Sequence, residues 1–255
     1  MNILCVGDVV GAAGCRYLRE KLPELKRQLR ADVVIVNGEN SAEGNGILPN
    51  SAQALFDAGA DVITGGNHTF RRREILEQLE TDDRLLRPAN LPGDAPGRGW
   101  TVVDRGRFQV TVVNLMGVVF MEPIDNPFYA LDRVLKEAGE PRFCVVDIHA
   151  EATAEKKGLA FYADGRISAM FGTHTHVQTA DEQILPGGTG FITDVGMVGP
   201  ALSCLGVKPE LSIAKMKSHL PVRFINAEGP CGLDGVLFTL DDKTGRTVSV
   251  RRIHV

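Results

Sequence analysis

Eight polar residues of this chain could carry chemistry: Asp8, Glu39, Asn40, Asn67, His68, His149, His174 and His176. Each follows closely on a short apolar run: Ile3–Val6, Val33–Val36, Asp61–Thr64, Phe143–Ile148 or Ser168–Phe171. Their donor atoms are carboxylate and carboxamide oxygens and imidazole nitrogens, with no thiolate among them. That set suits manganese, iron, zinc or nickel rather than a thiolate-bound structural zinc. With His68 set aside, the remaining side chains are too many for one tetrahedral ion. They suit two divalent ions about 3.5–4 Å apart with a carboxylate bridging them. Glu39, with two oxygens, is the natural bridge. Two such ions against Asp8 and Glu39 leave about two formal positive charges, which a hydroxide and a phosphodiester would neutralise.

Each residue alone has a plainer reading. Asp8 could cap the helix that follows it. Glu39-Asn40 and Asn67-His68 sit in glycine-containing loops and could be turn residues. A single histidine at the end of a buried strand, such as His149, is more often structural than a ligand, although it needs a polar partner. His174-x-His176 is the sharpest local signal. The conjunction at the ends of successive apolar runs is what argues for a metal site. His219 and His254 have no such setting and read as structural or solvent-facing.

The elements that must position these residues alternate. Ile3–Val6, Val33–Val36 and Asp61–Thr64 read as strands, separated by helices. The first helix, about Arg16–Leu29, carries Leu18, Leu22, Leu25 and Leu29 at helical spacing; the second opens at Pro49 and the third covers about Arg72–Leu79. This order predicts a mostly parallel sheet with right-handed crossovers. In open α/β sheets ligands bind beyond the carboxyl ends of the strands, which would gather all the polar tips in one place. Leu86–Gly99 reads as a loop, Trp100–Val103 with Gln109–Asn114 as a hairpin, and Pro127–Ala138 as a helix. Gly190–Thr193 is a further run, ending in Asp194. The tail from Val222 alternates like antiparallel strands. These antiparallel pieces suggest a second sheet packed on the first.

The 255 residues hold 28 Lys+Arg against 32 Asp+Glu, a net charge of −4, and are 44% hydrophobic. This is globular composition, and the acidic balance argues against a duplex nucleic-acid binder. Five cysteines without a C-x-x-C pair read as reduced thiols. No apolar run approaches the roughly 18 residues of a membrane span. A cytoplasmic protein folded as one domain over residues 1–255 is expected, with homo-oligomerisation a general prior.

At the same residues the chain resembles the calcineurin-like metallophosphoesterases, whose signature is D-x-H, G-D, G-N-H-[DE], a lone His and G-H-x-H. Gly7-Asp8-Val9-Val10, Gly38-Glu39-Asn40, Gly66-Asn67-His68-Thr69, Ile148-His149 and Gly172-Thr173-His174-Thr175-His176 follow that order. Val10 replaces one ordinary ligand, Glu39 replaces the bridging aspartate, and Asn40 could supply the lost contact. Those departures, with Glu39–Ile47 and Thr193–Pro200, resemble one branch, the YmdB-like phosphodiesterases. The resemblance implies an α/β/β/α sandwich. It places one ion on Asp8, Glu39, Asn40 and His176, and the other on Glu39, Asn67, His149 and His174. His68 would be the catalytic acid. Iron or manganese would be the usual metals, with zinc possible, and cyclic nucleotides such as 2′,3′- and 3′,5′-cAMP the substrates. Phe70 and Arg71 stand where that branch usually has Trp and Asp, which bears on substrate preference more than on metal binding.

Three other readings compete. Gly7, Gly11 and Gly14 could open a dinucleotide site, but their spacing is not G-x-G-x-x-G and Asp8 would meet the phosphates. A regulatory protein could keep the ligands without turnover. The substrate could instead be a phosphomonoester or an RNA end, with Arg71 as an added phosphate contact; a solvated helix start is the plainer reading of Arg71.

Overall fold

The computed structural model describes residues 1–255. The first half runs β1 (Asn2–Val6), β2 (Asp8–Val9), α1 (Gly11–Gln28), β3 (Val33–Asn37), α2 (Pro49–Ala58), β4 (Val62–Thr64) and a short 3-10 turn, Arg73–Ile75, leading into α3 (Leu76–Thr81). Then come β5 (Trp100–Asp104), β6 (Gln109–Met116), α4 (Pro127–Glu137), β7 (Cys144–His149), α5 (Thr153–Ala163), β8 (Ala169–Thr173), β9 (Gln183–Ile184), β10 (Gly190–Ile192) and β11 (Met197–Pro200). The chain closes with α6 (Pro209–Ser218), β12 (Cys231–Leu240) and β13 (Thr247–His254).

Strand alternation builds four layers. Along β1, Leu4 and Val6 face outward onto Leu18 and Leu22 of α1 and Leu55 of α2. Ile3 and Cys5 face the other way and join Val112, Val145, Phe171 and Phe238 between the two sheets. Along β7, Val145 points into that inter-sheet core, while Val146 and Ile148 pack with Leu131 and Leu135 of α4 and Leu159 of α5. Both faces of the central strands are therefore buried, which is why they read as continuous apolar runs rather than alternating ones.

The sheets differ from expectation in one respect. The first has seven strands, ordered β2-β11-β12-β1-β3-β4 with β13 on β12. Only β1, β3 and β4 form the expected parallel run; β12 enters antiparallel beside β1. The antiparallel tail thus completes the first sheet instead of making the second, and its strands begin at Cys231, not near Val222. The free edge of β1 is what it satisfies. The second sheet, β5-β6-β7-β8-β10-β9, comes from the middle of the chain and is parallel at its centre, with the β5–β6 hairpin at one edge. No helix is long and apolar enough to cross a membrane.

Candidate metal centre

The carboxyl ends of β1, β3 and β4 from one sheet and β7 and β8 from the other meet at one edge of the sandwich. Asp8 lies in β2, Glu39 and Asn40 in the turn after β3, and Asn67 and His68 in the turn after β4. His149 is the last residue of β7, and His174 and His176 follow β8. All eight predicted side chains arrive together.

They divide into two groups that share one oxygen. In the first, Asn40 Nδ2 lies 3.2 Å from Asp8 Oδ1 and 3.3 Å from His176 Nε2. In the second, His149 Nε2 lies 3.0 Å from Asn67 Oδ1 and 3.1 Å from His174 Nδ1. Glu39 Oε1 is 3.2 Å from Asn40 Nδ2 and 3.2 Å from His149 Nε2, so it stands between the groups. The ligand-capable atoms of Glu39, His149 and His174 all lie within 4.8 Å of one another.

Asp8 does not cap α1. The cap position is Val10, without a side-chain bond, and the Asp8 carboxylate instead accepts from the His174 backbone N–H at 3.1 Å. The dinucleotide reading fails on the same ground. The first N–H groups of α1 are taken by the Asn40 carbonyl, 2.9 Å from Gly11 N, and by the Glu43 carboxylate, 3.1 Å from Ala12 N.

Local sequence explains the close approach. A Cβ on Gly66 would sit 2.2 Å from the His149 ring, so only glycine lets the turn after β4 lie against that imidazole. His174 and His176 hold φ of 96° and 61°, left-handed values that cost a non-glycine residue energy and persist where surroundings fix them. The fixing group is a buried ion pair. Lys156 Nζ on α5 lies 2.8 Å from Asp194 Oδ2 and donates to the Thr173 carbonyl at 2.7 Å. The same Asp194 oxygen accepts from Thr175 N and Thr175 Oγ1. Behind His149, Nδ1 lies 2.9 Å from Thr173 Oγ1, which donates to Asp147 Oδ1 at 2.8 Å. That chain orients Nε2 toward the site. Leu205 O does the same for His176, 3.2 Å from Nδ1.

The electrostatics fit a cation. Burial pushes Asp8 and Glu39 up, but the imidazole charges of His176 and His149 outweigh it, and both carboxylates lie below their ordinary range. His149 shows the converse: burial pulls it down, yet the Glu39 carboxylate beside it raises it to about 9. His174 is lowered to about 4 by burial and then by the His149 charge. The buried anions thus draw a proton onto His149, in the position where a divalent ion would compete for the same lone pair.

Some functional positions escaped the sequence reading. Lys156 carried no signal. Asp194 ends an apolar run as the ligand candidates do, yet it serves the ion pair. Asp147, raised to about 6 by burial, interrupts an apolar strand, and that was its visible sign. The cleft over the site, about 570 Å³, adds Glu151, Lys215 and an apolar wall of Leu205, Val207, Met216 and Phe224. Phe70 and Arg71 line a smaller cavity beside Asn67 and His68, with Arg71 exposed. His219 and His254 are both exposed and away from the cleft.

Two sheets packed face to face, with carboxylates and imidazoles gathered at their strand ends, define the metallophosphoesterase-like fold. A putative 5′-nucleotidase from Staphylococcus aureus shares that fold, with a TM-score of 0.61 at 15% identity over 99% of this chain and 54% of that one. The chain belongs to the family described as YmdB-like protein, which it matches over residues 4–253. A Bacillus subtilis relative named 2′,3′-cyclic-nucleotide 2′-phosphodiesterase is 46% identical, covering 100% of this chain and 97% of that protein. A Thermus thermophilus crystal structure of a hypothetical protein superposes with a TM-score of 0.95 at 38% identity, covering 100% of this chain and 99% of that one. The Mycoplasma pneumoniae structure of a novel phosphatase gives 0.94 at 34% identity, covering 100% and 93%.

Proposed function

We propose that this chain is a dinuclear metal-dependent phosphodiesterase acting on cyclic nucleotides of the 2′,3′- and 3′,5′-cAMP class. Its family makes it a phosphoric ester hydrolase. The observation that carries the finer reading is the shared, buried Glu39 oxygen between two donor groups. Asp8, Asn40 and His176 would hold one ion, Asn67, His149 and His174 the other, with Glu39 common to both; iron or manganese suits these donors. Such ions supply Lewis acidity toward phosphate oxygens and bring the pKa of water near neutrality.

The chain's own groups supply the rest. Asn40 presents Nδ2 to Asp8 and Glu39, and Oδ1 lies 2.9 Å from His68 Nδ1. His68 Nδ1 also lies 3.0 Å from Glu39 Oε1, so Nδ1–H donates to these oxygens, and Nε2 faces Asn45 Nδ2 at 3.5 Å on the cleft side. As an imidazolium the ring would protonate a departing alkoxide from Nε2, an effect worth about 10²–10⁴-fold. The His68 backbone N–H donates to Glu39 Oε2 at 2.7 Å and keeps the ring beside the site. Leu205, Met216 and Phe224 offer an apolar wall for a base, and Lys215 a positive charge for an anionic substrate.

The test is hydrolysis of 2′,3′-cAMP with Mn²⁺ against an EDTA-stripped control, with 3′,5′-cAMP alongside. Chelator-sensitive turnover is expected. A folded, metal-loaded protein without turnover would point to another phosphate ester or to a binding role. His68→Ala should lose most turnover and keep both metals; loss of metal would make His68 a ligand instead. One further observation favours a longer substrate. A second cavity of about 680 Å³, lined by Arg72 and Arg223, shares Asn45, Val207 and Phe224 with the cleft. An RNA end bearing a cyclic phosphate would place its penultimate phosphate there, and a dinucleotide 2′,3′-cyclic phosphate should then show a lower KM than 2′,3′-cAMP.

A further inference from the structure

Away from the metal centre, a cavity of about 400 Å³ lies between α4 and the Arg87–Gly99 segment, within the roughly 300–1,000 Å³ of small-ligand sites. Arg87 lines it and is only 7% exposed. Its Nη1 donates to the Pro88 carbonyl at 2.8 Å and its Nη2 reaches the Ala95 carbonyl only at 3.5 Å. Its Nε is buried and has no hydrogen-bond partner. The second cation of the cavity is Arg133 on α4, which donates one Nη2 bond to the Ala89 carbonyl at 3.1 Å. Burial and, after it, the Arg133 charge lower the Arg87 pKa. Asp125 and Glu137 line the cavity too, both exposed.

A buried guanidinium beside a second one is costly unless an anion meets it; Nε is closed off from the cavity, so the contacts would come from the remaining Nη hydrogens of Arg87 and Arg133. Two arginine forks present the paired N–H groups that match phosphate oxygens. Trp100, half-exposed on the same wall, offers an aromatic face for a ring. We propose that this cavity is a second ligand site, for a phosphate monoester of nucleotide size whose phosphate sits between Arg87 and Arg133 and whose base lies against Trp100. None of the candidate metal ligands lines it.

The site carries its own reporter, because Trp100 is the single tryptophan of the chain. Its emission should be followed in the full-length, metal-loaded protein during titration with inorganic phosphate, 3′-AMP and adenosine, at ionic strength held constant with chloride. Phosphate should give a saturable change, 3′-AMP should saturate at lower concentration, and adenosine should give none at the same concentrations. Arg133→Gln, at an exposed position, should weaken 3′-AMP binding at least tenfold. Arg87→Gln should do the same where its far-UV circular dichroism matches wild type. No saturable change with phosphate or 3′-AMP, equal binding of adenosine, or an unchanged midpoint in Arg133→Gln would each overturn the proposal.

Discussion

Replacing Lys156 by methionine keeps the aliphatic stem in place and removes the ammonium. Lys156 and Asp194 are both fully buried, 2.8 Å apart. The change strands the Asp194 carboxylate with Thr175 and Gly196 donors only, and leaves the Thr173 carbonyl without its 2.7 Å bond. Breaking a buried pair from one side costs about 3–5 kcal/mol, because a charge remains buried without its partner. A typical whole-domain stability is about 5–15 kcal/mol. With a urea slope of about 2 kcal/mol/M, the midpoint should fall by about 1.5–2.5 M. The measurement is equilibrium urea unfolding by far-UV circular dichroism on EDTA-stripped protein, so that bound metal does not mask the loss. Asp194→Asn strands the ammonium instead and should fall in the same range. A midpoint within about 0.5 M of wild type at unchanged slope would equate the pair with an exposed surface bridge, and its assigned role in holding the His174–His176 turn would fail.

Asp8→Ala and His149→Ala should each lower metal content together with activity, read by elemental analysis; full occupancy in both would refute their assignment as ligands. In the metal-free protein the His149 proton, held up to about 9, should stabilise the fold fully below its unfolded pKa of about 6.5, and that contribution should fade as pH rises through 9. Metal uptake runs the other way, strengthening over the same window and releasing protons; a metal affinity independent of pH between 6 and 9 would contradict this. Gly66→Ala should push the His149 ring aside and deplete metal while far-UV circular dichroism stays native; retention of full metal would show that the turn relaxes freely. Phe171→Ala, in the fully buried inter-sheet core, should cost about 3–5 kcal/mol in urea unfolding; a loss under 1 kcal/mol would mean the sheets close over the gap.

The site was legible because its residues obey one rule, polar tips on apolar strands, and the strands obey another, burial on both faces. Leu18, Leu22 and Leu25 marked α1 by spacing and are buried as expected, although the helix starts at Gly11 rather than near Arg16. What stayed hidden followed from the same physics. In α5 the buried face includes Glu155 and Lys156, so its sequence shows no apolar stripe. In α6 only Ser212 is buried, and Ile213 and Met216 face solvent, which erases the pattern from the other side. β2 and β11 are too short to register. Asp147 and Thr173 could be read as strand residues, but their bonds to His149 depend on which strands are neighbours, and pairing is a property of the whole sheet.

The insertion of β12 between β1 and β11 has a consequence for synthesis. Residues 2–6 emerge long before their neighbour on one side, Gly235–Thr239. At roughly 5–20 residues per second, the open edge of β1 waits on the order of tens of seconds for its partner. During that interval β1 and β3 can pair, but β1 presents a row of unpaired N–H and C=O groups, the kind of edge that invites foreign strands. Met1 closes the account, its amino group lying 3.0 Å from the Leu240 carbonyl and 2.8 Å from Asp242. A ribosome that stalls before residue 231 would therefore release a chain whose β1 lacks that neighbour, and with it the framework behind Asp8.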